Sequence, residues 1–225
     1  MPSHFHPGQL AFELPYPESL SRDNFLEGPA NAAGLALIDS WPDWPNRVML
    51  LVGAEGSGKS HLAAIWAEQA GARSTIASAL SAASVPAALA TGALVVEDLK
   101  STDLDERALF HLMNLAREDD AYVLITARVP ASALQIELKD LRSRLRAVPT
   151  ISLLPPDDQL LRALIVKLCA DRQVSVDEAV VAYLATRIER SYVAAREAIE
   201  LLDGEALRLG RPVTRALAAE LLGSR

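Results

Sequence analysis

The chain is 225 residues long, 50% hydrophobic and 23% charged, with a formal net charge of −7 and one cysteine. That composition supports one good core plus a small satellite; no apolar run reaches the ~20 residues of a membrane span, and no signal-peptide pattern opens the chain. The acidic balance disfavours a protein whose main task is gripping a phosphate backbone, and a lone Cys169 in an apolar helical pattern excludes a disulfide framework and suits a reducing cytosol.

Residues 1–8 (MPSHFHPG) carry too little pattern to pack and read as a mobile tail, in which His4 and His6 lack the Cys or carboxylate company of a metal site. Gln9-Leu10-Ala11-Phe12-Glu13-Leu14 has alternating apolar residues and is stopped by Pro15 and Pro17. It suits either an extended peptide docked in a partner's groove or a strand capping the chain's own sheet. Residues 19–28 form a polar-aromatic connector, Pro29 to Ser40 predicts a helix with proline at its start, and WPDWPN (41–46) predicts a rigid turn. Val48 to Val52 predicts a buried strand that runs into Gly53-Ala54-Glu55-Gly56-Ser57-Gly58-Lys59-Ser60, followed by helical spacing from Leu62 to Trp66. Beyond Gly71 the pattern predicts a short strand at 73–77, an Ala-rich helix at 78–90 disturbed by Pro86, and a strand at 93–96 ending in Glu97-Asp98. An amphipathic helix from Leu104 to Arg117, a strand at 121–126, a basic helix at 138–146 and a strand from Val148 to Leu153 follow. Strands alternating with helices imply an α/β fold with a parallel sheet covered on both faces. From Pro155-Pro156 onward only helical stripes remain, at 157–172, 177–189, 191–208 and 214–222, so the double proline marks a domain boundary.

Strand, Gly-rich turn and helix in that order are the required setting of a P-loop, whose pattern arises by accident in roughly one chain in a hundred of this length. The glycines turn the backbone so tightly that successive N–H groups converge, and the helix N-terminus behind them adds positive partial charge, so the loop holds polyphosphate. Lys59 is expected to reach the β- and γ-phosphates, and the Ser60 hydroxyl to ligate Mg²⁺. Such a site needs carboxylates at the end of a neighbouring strand. Glu97 and Asp98 supply them, one for the metal and the other to polarise the attacking water. The usual order is Asp then Glu; the reversed order here displaces the metal-side carboxylate by about one methylene length and argues against brisk hydrolysis. Thr126 ends the next strand, which places its hydroxyl near the γ-phosphate. Arg142, Arg144 and Arg146, spaced by two, cannot share one helical face; they read either as a solvated basic surface or as the source of an arginine finger.

Together these motifs resemble the AAA+ ATPases of the bacterial replication-initiator group, DnaA and its shorter relative Hda, over nearly all of 9–205. DNFLEGPAN (23–31) is similar to the group's first box, which implies that Phe25 and Leu26 lie against the adenine. GAEGSGKSH (53–61) looks like the Walker A motif, implying nucleotide contacts from Gly53, Glu55, Gly56, Ser57, Gly58, Lys59, Ser60 and His61. LVVEDL (94–99) looks like Walker B, with Ser60, Glu97 and Asp98 around the metal, and ERALFHLMN (106–114) is similar to the helix that follows in DnaA. LITA (124–127) resembles the sensor 1 strand with Thr126 as the sensor, and LKDLRSRL (138–145) the arginine-finger box with Arg144 as the finger. LLPPDDQLLRALI (153–165) resembles the opening of the lid domain. In RSYVAAREAI (190–199) the expected sensor 2 position falls on Ala194, with Arg196 or Arg190 as substitutes from a neighbouring turn.

Within this group the resemblance is to Hda. The chain has no counterpart of the helix-turn-helix domain that ends DnaA, and 71–93 is too short for the inserted helices that grip single-stranded origin DNA. QLAFEL (9–14) looks like the peptide by which Hda docks on the sliding clamp, with Gln9, Leu10, Phe12 and Leu14 as anchors. The resemblance implies a P-loop AAA+ body at 19–154 with a parallel sheet flanked by helices, a small all-α lid at 155–225 and a flexible tail at 1–18. It implies ATP or ADP with Mg²⁺ as cofactors, and DnaA and the DNA polymerase III sliding clamp (beta subunit) as partners. DNA would be reached indirectly, with no membrane and a cytoplasmic location, and a homo-oligomer is compatible with it. The expected activity is weak hydrolysis of its own and promotion of DnaA's ATP hydrolysis by Arg144 acting in trans. The rival is a helicase-loader or transposition-helper AAA+ ATPase, which calls for a basic channel surface that a charge of −7 disfavours.

Overall fold

The computed structural model describes residues 20–223. The tail reading of 1–18, with Gln9, Leu10, Phe12 and Leu14, lies outside them.

Five strands form one parallel sheet in the order β2-β3-β4-β1-β5: β1 (Val48–Val52), β2 (Arg73–Ile76), β3 (Ala93–Leu99), β4 (Tyr122–Ala127) and β5 (Thr150–Ser152). The three inner strands are covered on both faces, which is why they read as unbroken apolar runs; all five residues of β1 are buried. Successive side chains still alternate between faces. Met49, Leu51, Val95 and Leu124 pack on one side with α1 (Ala32–Asp39) and α2 (Lys59–Ala70). Leu50, Val96 and Ile125 pack on the other with α3 (Val85–Ala88), α4 (Glu106–Glu118) and α5 (Lys139–Ala147). The first face holds Trp66, fully buried and stacked on Trp44 with ring centroids 4.8 Å apart.

Two elements differ from the sequence expectation. The Ala-rich stretch 78–90 makes only a 3-10 turn and the four-residue α3. Ser81 and Ser84 hydrogen-bond to each other's hydroxyl and backbone, and this local pairing competes with a helical ladder. The helix expected from Pro29 begins instead at Ala32. Asn31 folds the preceding loop into a turn: its Oδ1 accepts from the Gly28 N–H and its amide donates to the Leu26 carbonyl, both at 2.9 Å.

Beyond the sheet come α6 (Asp158–Asp171), α7 (Glu178–Arg187), α8 (Tyr192–Leu209) and α9 (Arg215–Leu222). Asp157, Asp177, Ser191 and Thr214 cap them, each accepting from the backbone N–H three residues on. These helices bury an apolar cluster of their own, drawn from residues such as Ile165, Leu184, Ile199 and Leu202. Cys169 sits within it, 1% exposed, and burial pushes its thiol up to about 11. No helix among the described residues is long and apolar enough to cross a membrane.

Candidate nucleotide-binding cleft

The C-terminal ends of β1, β3 and β4 lie side by side, and a cleft of about 600 Å³ opens above them, closed on its far side by α6 and α8. The turn from β1 into α2 supplies its floor. Gly56 and Gly58 stand at φ of 69° and 94°, left-handed backbone that lets the chain double back and turn its N–H groups inward. The Lys59 ammonium folds over this turn and donates to the carbonyls of Gly53 and Ala54, both at 2.7 Å. Partial burial, and then the neighbouring Arg128 guanidinium, hold Lys59 below the ordinary lysine value, against the opposing pull of Asp98, Glu55 and Glu97. The ammonium thus sits among polar groups that a phosphate can replace.

The two acidic residues at the end of β3 part company. The Ser60 hydroxyl, in the first turn of α2, donates to Glu97 Oε2 at 2.6 Å. Asp98 adopts a left-handed φ of 55°, where the β3–β4 register shifts between Val96 and Leu99, and its carboxylate turns the other way. Oδ2 meets Lys100 Nζ at 3.2 Å and Oδ1 lies 3.5 Å from Arg128 Nε. Thr126, 2% exposed, fixes this turn: its hydroxyl oxygen accepts from the Asp98 N–H at 3.1 Å. Ser60 and Glu97 fit Mg²⁺, a hard ion that takes oxygen ligands and keeps several from water and phosphate. Accordingly, no group of three or more His, Cys, Asp or Glu side chains is placed for a metal among the described residues.

Phe25 and Leu26 line the opposite wall with His61. Phe25 meets the His61 ring edge-on at 5.1 Å, and His61 Nε2 lies 2.9 Å from the Ser21 carbonyl oxygen. Above them α8 brings Tyr192, Val193 and Arg196 to the cleft, the three positions that its phase aligns on one face, while Ala194 does not line it. Arg196 Nε is 3.9 Å from Glu200 Oε1. Arg190 precedes α8 and pairs with Asp158 at 2.6 Å, outside the cleft lining. The start of α8 touches the P-loop directly: the Tyr192 N–H donates to the Gly56 carbonyl at 3.0 Å, and a Cβ on Gly56 would come within 2.9 Å of the Val193 nitrogen.

Arg144 stands apart. It projects from α5 toward α4, where it donates to Asn114 Oδ1 and stacks 4.5 Å from the centre of the Phe110 ring. It is half-buried and lines a second hollow, shared with Arg47 and Arg117, rather than the cleft. No carboxylate among the described residues pairs with it.

Several cleft residues escaped the sequence reading, among them Lys167, Arg172 and Tyr192 and, beside the P-loop, Arg128. Arg128, two positions past Thr126, ion-pairs with Glu55 of the P-loop as well as with Asp98. The only signal available was a cation just beyond the end of a buried strand beside the P-loop strand.

No family model matches the chain. Among solved structures it is similar to domain III of the replication initiation protein DnaA from Thermotoga maritima, at 19% identity and a TM-score of 0.74, covering 94% of this chain and 98% of that one. AMPPCP-bound DnaA from Aquifex aeolicus is 16% identical with a TM-score of 0.65, over 84% of this chain and 67% of that one. The RuvB Holliday junction branch migration motor of Thermotoga maritima is 21% identical with a TM-score of 0.71, over 90% and 70%. At such identities the likeness is one of fold. The chain has the AAA+ P-loop fold, a parallel sheet flanked by helices and followed by a small all-α lid.

Proposed function

We propose that this chain is a nucleotide-holding regulator of replication initiation of the Hda kind. In this reading a nucleotide lies across the cleft with its base toward Phe25 and Leu26 and its phosphates on the P-loop. Lys59 leaves the Gly53 and Ala54 carbonyls for phosphate oxygens, a charge-assisted exchange that favours the anion. Ser60 and Glu97 hold Mg²⁺, which neutralises phosphate charge. Asp98, engaged by Arg128 and Lys100, is poorly placed to polarise water, so the chain's own turnover is slow. The observation that carries the proposal is the position of Arg144: it lies outside the cleft its own chain builds, and its contacts are neutral ones. A guanidinium so placed serves a phosphate on another molecule, where it stabilises charge developing in the transition state.

Likeness in fold to domain III of DnaA supports ATP-bound DnaA as that other molecule, and the AMPPCP named with the Aquifex protein supports an adenine nucleotide here. Gln9, Leu10, Phe12 and Leu14 tether the chain to the sliding clamp, which raises its effective concentration near its target. DNA is then reached through the clamp, in the cytoplasm. The test is to mix the chain with DNA-loaded clamp and ATP-DnaA and follow hydrolysis. Arg144→Ala should lose the stimulation, and Gln9→Ala should lose it at low protein concentration only. An Arg144→Ala variant as active as the parent sinks the proposal. The rival, an ATPase acting on DNA, has the RuvB likeness in its favour and predicts DNA-stimulated turnover by this chain alone.

A further inference from the structure

Arg128 occupies a place that neither the P-loop nor the Walker B acids require. It follows β4 directly, so its backbone is held beside β1 by the pairing of Val52 with Ala127, and its side chain reaches across the P-loop to Glu55. The same guanidinium lies 3.5 Å from Asp98 on β3, so it spans the ends of three adjacent strands. At the P-loop end of the cleft Lys59 and Arg128 therefore stand together, among the carboxylates Glu55, Glu97 and Asp98. Lys59 feels Arg128 as the second cause of its lowered proton affinity, after burial, which places the two positive groups in electrostatic contact.

The pairs that hold Arg128 are weak ones. Its side chain is 56% exposed, that of Glu55 62% and that of Asp98 40%, so water screens both attractions. A polyphosphate reaching the same guanidinium offers two oxygens in the planar geometry that arginine matches, with more charge than one carboxylate. Which phosphate it meets follows from the topology. The loop nitrogens cradle the inner phosphates and Lys59 spans the β- and γ-phosphates, while Arg128 stands two residues past Thr126, at the γ-phosphate end of the site, on Glu55 and Asp98.

We infer that Arg128 is the residue by which the cleft tells a nucleoside triphosphate from a diphosphate: a terminal phosphate draws it off Glu55 and Asp98, and without that phosphate it stays on them. This inference rests on the nucleotide-holding reading and deepens it. It assigns the chain's own Arg128 to its own ligand, in contrast to Arg144. It also gives the P-loop acid Glu55 a role, as the competitor that keeps the diphosphate state closed. When Arg128 moves, Asp98 loses one of its two cationic partners, so the arrival of the third phosphate reaches the end of β3 as well.

The experiment is a titration of the full chain with Mg²⁺-ADP and, to avoid hydrolysis, Mg²⁺-AMPPCP, by calorimetry. Arg128→Ala should weaken AMPPCP about tenfold or more and leave ADP within about twofold. Arg128→Lys, which keeps the charge and loses the planar fork, should fall between. Glu55→Gln should strengthen AMPPCP a few-fold relative to ADP, an effect of opposite sign that a merely structural role for Arg128 would not produce. Equal weakening of both ligands by Arg128→Ala, or no change in either, overturns the inference while the nucleotide reading stands. A parent chain that binds neither ligand overturns both.

Discussion

The cleft and the hollow between α4 and α5 each present arginine, and they treat it differently. In the cleft, charge is matched inside the molecule, Arg128 against Glu55 and Asp98 and Lys100 against Asp98, while Glu97 accepts a hydrogen bond from the Ser60 hydroxyl. In the hollow, Arg144 rests on an amide and an aromatic ring, partners that position a cation and leave its charge uncompensated. An internally balanced site is at rest until a ligand brings enough charge to rearrange it, whereas an unbalanced guanidinium held by neutral groups is ready for an anion from outside. On the proposed reading, the difference separates a ligand-holding region from an outward-acting one.

The sharpest way to break this division is Arg144→Ala. Stimulated hydrolysis by ATP-DnaA should fall by about 10³, while the chain's own nucleotide affinity, read by calorimetry, should not move; a parallel loss of affinity would merge the two regions. Lys59→Ala should do the reverse, lowering affinity for Mg²⁺-ADP by about 10²-fold through the loss of charge-assisted bonds worth ~1.5–3 kcal/mol each, with an unaltered circular dichroism spectrum. Gly56→Ala tests whether the lid belongs to the cleft. The residue stands at φ 69° and the new methyl would press on the Val193 nitrogen at 2.9 Å, so a cost of ~1–3 kcal/mol is expected in thermal or urea melts. Nucleotide affinity should drop with it.

The smallest effect expected is a pH dependence confined to the lid. An unfolded Cys169 thiol ionises near 9.0 and the native one near 11. Between these values the native state keeps a proton that the unfolded state has lost, so stability should decline as pH rises through that window and be level with respect to this group below it. Urea melts at about pH 8 and about pH 10 should show the decline in the parent and less of it in Cys169→Ala.

The inner strands were legible because burial on both faces makes them continuous apolar runs, as at Val48 to Val52, and the P-loop because phosphate binding needs its glycines at fixed spacing. Helices α6 to α9 were legible as apolar stripes at helical spacing, and the structure places capping residues Asp157, Asp177, Ser191 and Thr214 at their starts. What sequence could not carry was direction. Whether Glu97 or Asp98 would meet Ser60 depended on a left-handed residue and a register shift, neither of which has a spacing signature. Arg196 lines the cleft and Arg190 does not because Ser191 starts α8 between them and sets its phase. Arg128 belongs to no pattern at all, since its partners lie 73 positions away in the P-loop and on a different strand. In 78–90, alanine content promised a helix, and two serines cut it short.

The stacking of Trp44 on Trp66 has a practical corollary. All three tryptophans, Trp41, Trp44 and Trp66, sit in or against the same apolar cluster on one face of the sheet, with Tyr122 beside them, and none belongs to the helices beyond Pro156. Tryptophan emission is therefore deaf to the C-terminal helices. A fluorescence trace that lags the loss of ellipticity on heating would mark the C-terminal helices coming apart first, with no label added.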